Sequence, residues 1–109
     1  MAEREQLATR RGQITLATEF GSGKANGYTV SYGLFPDARP AELFISTNKA
    51  SSDAEAIARD AAIMISIALQ FGAQLEDMRL AATRDGEGRP SSIIGHVLDL
   101  VAQDLAGQE

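Results

Sequence analysis

Nine consecutive residues near the middle of the chain, Ala61 to Leu69, contain a single polar side chain, Ser66. The isoleucines of this run alternate as in a strand, but the wider segment from Asp53 to Phe71 is too long for an ordinary strand. It is also rich in alanine, and Gly72 follows it where a helix end favours a left-handed residue. The segment therefore predicts a helix that is apolar around most of its circumference. We expect such a helix to be buried on more than one side, lying centrally on a sheet and covered by later helices.

Three segments before this helix alternate with the period of two that is typical of strands. They are residues 13–20, 28–34 and 41–47. The glycine-rich "GSGKANG" and the turn-forming "FPDARP" connect them. Because both connections are short, the segments predict a three-stranded antiparallel meander.

Two more helices are predicted after the long one, at residues 75–83 and 92–106. The fold class is thus α+β, in the order β-β-β-α-α-α, with about three helices covering one face of the sheet. Residues 1–12 are charged and lack a pattern, so we expect a mobile N-terminal arm, followed by a single domain at residues 13–109.

Charge and composition exclude several classes of function. The net charge is -5, and residues 51–109 carry ten acidic against four basic side chains. Because a basic stripe is missing, binding to nucleic acid is not expected. The chain has no cysteine, so these residues supply no thiol nucleophile, thiyl radical, disulfide or thiolate metal site. We expect neither a metal nor a cofactor.

The sequence also predicts a cytoplasmic protein that is not an enzyme. The apolar run is less than half as long as a membrane span, and the first residues lack the apolar centre of a secretory signal. His96 is the sole histidine and is expected on the surface. A convergent set of nucleophile, base and oxyanion donor is missing from the sequence.

The start of the long helix has two possible roles. Ser52 and Glu55 have the spacing of a capping box, and Asp53 suits the positive end of the helix dipole. Alternatively, Lys49, Ser51 and Ser52 form a site for phosphate, a carboxylate or a nucleotide. The acidic residues argue against an anion, but the sequence leaves both roles open.

One face of the predicted sheet is smoother than a solvated surface requires. It carries Ala17, Ser31, Gly33 and Phe44. Because the helices take the other face, this one is expected to contact a second copy of the chain or a partner subunit. An ordinary exposed face with one stray aromatic is the alternative.

The segment "ELFISTNKASSDAEAIARDAAIMISIALQFGAQLEDM" resembles the TSCPD domain. This small module occurs at the carboxyl end of cobalamin-dependent ribonucleotide reductases and as short bacterial proteins. Residues 42–45 match its glutamate-led strand, residues 49–52 its turn, and residues 72–78 the end of its apolar helix. The resemblance covers residues 28–83 and implies an accessory or protein-interaction module associated with ribonucleotide reductase.

The chain departs from the family at two places. Asn48 stands where the family turn has glycine, and the Thr-Ser-Cys-Pro-Asp element is replaced by "TRDGEGRP". Because ribonucleotide reduction needs cysteine chemistry, the resemblance implies a non-catalytic role for these residues.

Overall fold

The computed structural model describes residues 3–21, 27–47 and 53–107. Three antiparallel strands are followed by three helices, which confirms the predicted α+β class and element order. The strands are β1 (Gln13–Glu19), β2 (Gly27–Leu34) and β3 (Pro40–Thr47). The helices are α1 (Asp53–Gln70), α2 (Leu75–Ala81) and α3 (Ile93–Gly107). Each element lies within about two residues of its predicted bounds.

The sheet has the order β1-β2-β3 and a register that separates two faces. Leu16 pairs with Val30, which pairs with Ile45, and these positions point towards the helices. The alternate positions, such as Ser31 and its partner Phe44, form the outer face of the sheet. The "FPDARP" turn closes through Phe35 N–H, which donates to Arg39 O at 2.8 Å. The predicted meander is therefore observed.

The hydrophobic core lies between the inner face of the sheet and the three helices. The largest fully buried side chains are Tyr32 and Val30 of β2 and Leu98, Val97 and Val101 of α3. Helix α1 contributes two alanines as well as Ile65 and Leu69, and β3 contributes Leu43 and Ile45 to the same core. Its buried members are Val30, Tyr32, Leu43, Ile45, Ala58, Ala62, Ile65, Leu69, Val97, Leu98 and Val101.

Helix α1 lies along the free edge of β3 and is bonded to its backbone. Ser66 Oγ accepts a hydrogen bond from Leu43 N–H at 2.8 Å and lies 3.0 Å from Leu43 O. One turn later, Gln70 Nε2 donates to Ala41 O at 3.0 Å. An unpaired edge exposes backbone groups that can pair with another chain. Two polar side chains of α1 satisfy these groups and fix the helix to the sheet.

The expectation that α1 is enclosed on several sides is wrong. Ala58, Ala62 and Leu69 are buried, but Met64 is 67% exposed and Ile57 is 64% exposed. Because α1 lies at the edge of the sheet, its far side has no covering element among the described residues. The apolar run at residues 61–69 therefore includes side chains that the described residues leave exposed.

Helices α2 and α3 are joined by ion pairs around Asp99. Arg84 Nη2 lies 2.7 Å from Asp99 Oδ1, and Arg79 Nε lies 2.8 Å from the same oxygen. Arg84 follows α2 and pairs with Pro90 in a small hairpin. Gly95 lets α3 approach this hairpin, because a Cβ there would lie 3.0 Å from Pro90 Cβ.

Residues 3–12 have no helix or strand, but they contact the domain. Glu5 N–H donates to Gln70 O at 2.7 Å, and Arg4 Nε donates to Gln70 Oε1 at 2.6 Å. The mobility expected of this arm stays a prediction. In the described part of the chain, no helix has the length and apolar character needed to cross a membrane.

Candidate interaction surface

Phe44 is the most prominent of the four residues that the sequence places on the outer face. Its ring is 46% exposed, although its strand neighbours Leu43 and Ile45 are buried. Ser31 lies beside it in the register and shares a hydrogen bond of 3.1 Å with Thr15. Ala17 is exposed on β1. These residues therefore share one face, as predicted, and their role in binding stays a prediction.

Gly33 lies on the same face but under another side chain. The carboxylate of Glu42 covers it so closely that a Cβ at Gly33 would lie 2.6 Å from Glu42 Oε2. Arg11 pairs with this carboxylate, with Nη2 donating to Oε1 at 3.1 Å. Glycine is thus required here to make room for a buried carboxylate. The Arg11–Glu42 ion pair forms one boundary of the outer face.

The outer face of the sheet continues onto α1. One groove of about 320 Å³ is lined by Ser31, Phe44 and Ile63, and a second of the same volume by Phe44, Ile63 and Ile67. Phe44 and Ile63 line both grooves, so strand and helix side chains are direct neighbours. The second groove ends at Arg4 and Arg11 of the N-terminal arm.

The large exposed side chains of this region form what we call the apolar surface. Five of them lie on or directly after α1. Residues 57, 64, 67 and 71 follow one another at steps of seven, three and four, and residue 63 lies four before residue 67, so the helical repeat places all five on one side of the helix. Together with the strand residue they are Phe44, Ile57, Ile63, Met64, Ile67 and Phe71. Contiguous exposed patches of this kind mark interaction sites more often than isolated apolar residues do.

The α1 part of this surface was not predicted from the sequence. The signal was present, because residues 57, 63, 64, 67 and 71 form a second apolar stripe opposite the buried one. A helix with two apolar stripes is buried on both sides within a chain or is covered by another chain. Only the position of α1 at the sheet edge distinguishes these cases.

The predicted anion site lies outside the described residues. Lys49, Ser51 and Ser52 fall within residues 48–52, so both the capping box and the phosphate or nucleotide site stay predictions. Asp53 is the first residue of α1 and is exposed.

The titratable groups of the described chain make structural contacts. Hydrogen bonds from Arg84, together with Arg79, lower the pKa of Asp99 from 3.8 to about 2. The expectation that His96 is a surface residue needs correction, because the ring is half-buried. Its Nε2 lies 2.8 Å from Thr18 Oγ1, and its ring is 5.2 Å from that of Phe20.

Metal chemistry finds no support in these side chains. Among the described residues, no group of three or more His, Asp and Glu side chains is arranged to hold a metal ion. This region instead offers exposed apolar side chains and two shallow grooves.

The chain is similar in sequence to part of a known reductase. The chain is 37% identical over 73 residues to the vitamin B12-dependent ribonucleotide reductase of Rhodopirellula baltica. The aligned part covers 67% of this chain and 7% of that protein. No family model matches the chain. No solved structure matches it. The chain is therefore similar to a small region of a much longer protein whose name describes a reductase.

Proposed function

We propose that the chain is a non-catalytic accessory module of the TSCPD type, associated with ribonucleotide reductase, that binds another protein through the apolar surface. The observation that carries this proposal is the continuity of Phe44 with Ile63 and Ile67 across two elements. An aromatic side chain beside aliphatic ones, bordered by charged residues, is the usual composition of a protein interface.

The sequence relative supports the choice of client protein. The reductase of Rhodopirellula baltica contains a region similar to this chain, so the module type occurs within that enzyme. The absence of cysteine limits what these residues can contribute to reduction, because they supply neither a radical nor a reducing thiol. An accessory role fits both facts.

The test is binding of the 109-residue chain to a vitamin B12-dependent ribonucleotide reductase from its own organism, measured by calorimetry. We expect wild-type chain to bind and Phe44→Glu to weaken binding at least ten-fold, because burying a carboxylate in an apolar contact is unfavourable. Leu80→Glu is the matched control, since Leu80 is an exposed apolar residue of α2 outside the apolar surface. A lack of binding, or equal binding by Phe44→Glu, contradicts the proposal.

A further inference from the structure

The outer side of α1 has the residue spacing of a helix that packs against another helix. Positions 57, 60, 64, 67 and 71 follow one another at alternating steps of three and four residues. This is the spacing of the contact seam of a helix pair. Four of the five are large and apolar, namely Ile57, Met64, Ile67 and Phe71, and each is exposed. The seam is therefore apolar at every position but Asp60, and it has no opposite helix in the described chain.

The distribution of charge along α1 is uneven. Asp53, Glu55, Arg59 and Asp60 all lie in its first half, and residues 61–71 carry no charge. Two copies of α1 in parallel would bring Asp60 against Asp60, where like charges repel. Two copies in antiparallel orientation would bring Asp60 of each copy beside the uncharged half of the other. Electrostatics thus favours the antiparallel pair.

A cation lies at the carboxyl end of the same helix. Arg4 is held there by its 2.6 Å hydrogen bond to Gln70. In an antiparallel pair, the end of α1 at which Arg4 is bound lies next to the end of the other helix that carries Asp53, so the two ends are complementary in charge. The helix dipoles are also aligned favourably in this orientation.

From this spacing and charge we infer that α1 pairs with α1 of a second copy of the chain, in antiparallel orientation about a two-fold axis near Met64. Met64 then contacts its own counterpart, and Ile57 contacts Phe71 of the second copy. The surface is complementary to itself, as a two-fold interface requires. The inference rests on the proposed function insofar as both treat the apolar surface as a protein interface. It concerns the α1 seam, whereas the reductase test concerns Phe44.

The seam of one helix is short, and this limits the affinity. Stable interfaces of standard size bury about 800 Å² per partner, and a single helix pair buries less than this. We therefore expect reversible dimers with a dissociation constant in the micromolar range.

The first experiment is sedimentation equilibrium of the 109-residue chain from low to high micromolar concentration. Wild-type chain should form dimers, Met64→Glu should raise the dissociation constant at least ten-fold, and Leu80→Glu should leave it unchanged. Circular dichroism of each variant establishes that it is folded. Wild-type chain that stays monomeric throughout, or Met64→Glu that dimerises normally, overturns the inference.

The second experiment determines orientation and uses the absence of native cysteine. With a short bismaleimide crosslinker, Met64→Cys should crosslink to itself. Ile57→Cys alone should not, because the two positions lie about 21 Å apart along an antiparallel pair. A mixture of Ile57→Cys and Phe71→Cys should crosslink. Efficient crosslinking of Ile57→Cys alone indicates a parallel pair and overturns the inference.

The two proposals fail separately. A chain that dimerises through Met64 but does not bind the reductase retains the inference and contradicts the proposed client. A chain that stays monomeric but binds the reductase through Phe44 contradicts the inferred α1 dimer and supports the proposed binding to the reductase.

Discussion

The two sides of α1 differ in a way that is unusual for a helix at the edge of a domain. The inner side carries the large core residues Ile65 and Leu69. It also carries the small residues Ala58, Ala62 and Ser66, so the helix backbone approaches β3 and the Ser66 hydroxyl reaches the strand. The outer side also carries large residues, of which Met64 is the most exposed. Burial within the chain therefore does not follow side-chain size. The inner side therefore stabilises the fold, whereas the outer side is exposed on the surface of the described chain.

The largest effect expected from this comparison is on stability, at Leu69. Leu69→Ala removes a buried side chain of the core and should lower the free energy of unfolding by about 2–5 kcal/mol. Ile67→Ala, two residues earlier on the outer side, should cost less than about 1 kcal/mol in the monomer because Ile67 is already partly in water. Urea denaturation at submicromolar concentration, where we expect the chain to be monomeric, measures both losses of stability. Equal losses would show that the two sides contribute alike.

The second effect concerns the hydrogen bonds between α1 and the edge of β3. Ser66→Ala leaves the buried Leu43 N–H without the acceptor 2.8 Å away and should cost about 1–3 kcal/mol. Ser46→Ala is the control, since Ser46 is exposed on the same strand. Amide hydrogen exchange of Leu43 should also become faster in Ser66→Ala. Unchanged protection of this amide would mean that α1 is not held to the edge in this way.

The fold was predictable because local patterns determine it. The period of two in residues 13–47 and the helical period from Asp53 onwards each recur over several turns or pleats, so the element order follows from sequence alone. Turn residues such as Pro36 and Asp37 fix the short connections. The predicted elements consequently match the observed ones closely.

The placement of α1 was less predictable because it depends on tertiary geometry. Alternation shows that Phe44 shares a face with Ser31, and the register confirms this. No local pattern shows that Ser66 bonds the edge of β3 rather than facing solvent. The ion pairs of Asp99 were also missed, because Arg79, Arg84 and Asp99 are brought together by the hairpin between α2 and α3. The sequence thus predicts the strands at residues 13–20 and 41–47, whereas the position of α1 at the edge of β3 is seen only in the structure.

The stability contributed by the charged contacts of α3 depends on acid pH, whereas the stability contributed by the neutral hydrogen bonds of α1 does not. The pKa of Asp99 is lowered from 3.8 to about 2 by Arg84 and Arg79. A lowered pKa stabilises the folded state above the unfolded value, so this stabilisation is present above about pH 4 and is lost as the pH falls towards 2. The hydrogen bonds of Ser66 carry no charge and do not change in this range.

Asp99→Asn should therefore lower the free energy of unfolding at neutral pH by about 1–2 kcal/mol. The lowered pKa of Asp99 alone corresponds to about 2.5 kcal/mol. The expected loss is smaller because Arg79 and Arg84 are partly exposed and solvent screens their ion pairs with Asp99. The variant should also lose less stability than wild type between pH 4 and pH 2. Some dependence of stability on acid pH remains in the variant. A side-chain hydrogen bond from Arg39 lowers the pKa of Asp37, and hydrogen bonds from the backbone N–H groups of Arg89 and Glu87 lower the pKa of Asp85. Asp77→Asn, an exposed change on α2, is the control. Parallel pH profiles of Asp99→Asn and wild type would contradict the assignment.

The smallest effect on the monomer is expected on the outer side of α1. Met64→Gln exchanges two residues of similar helix propensity at a position that is 67% exposed, so stability should change by less than about 0.5 kcal/mol. A larger loss at low concentration would mean that the outer side helps to hold the fold, and the comparison between the two sides would not stand.

The same variant tests the role of the outer side of α1 in self-association when the protein concentration is raised. A second copy that binds only the folded chain stabilises it, so the melting temperature of a self-associating protein rises with concentration. Wild-type chain should show this rise, whereas Met64→Gln, which places a polar amide at the centre of the seam, should show less of it. Because both proteins are equally stable as monomers, their divergence at high concentration measures the contribution of the outer side of α1 to association alone.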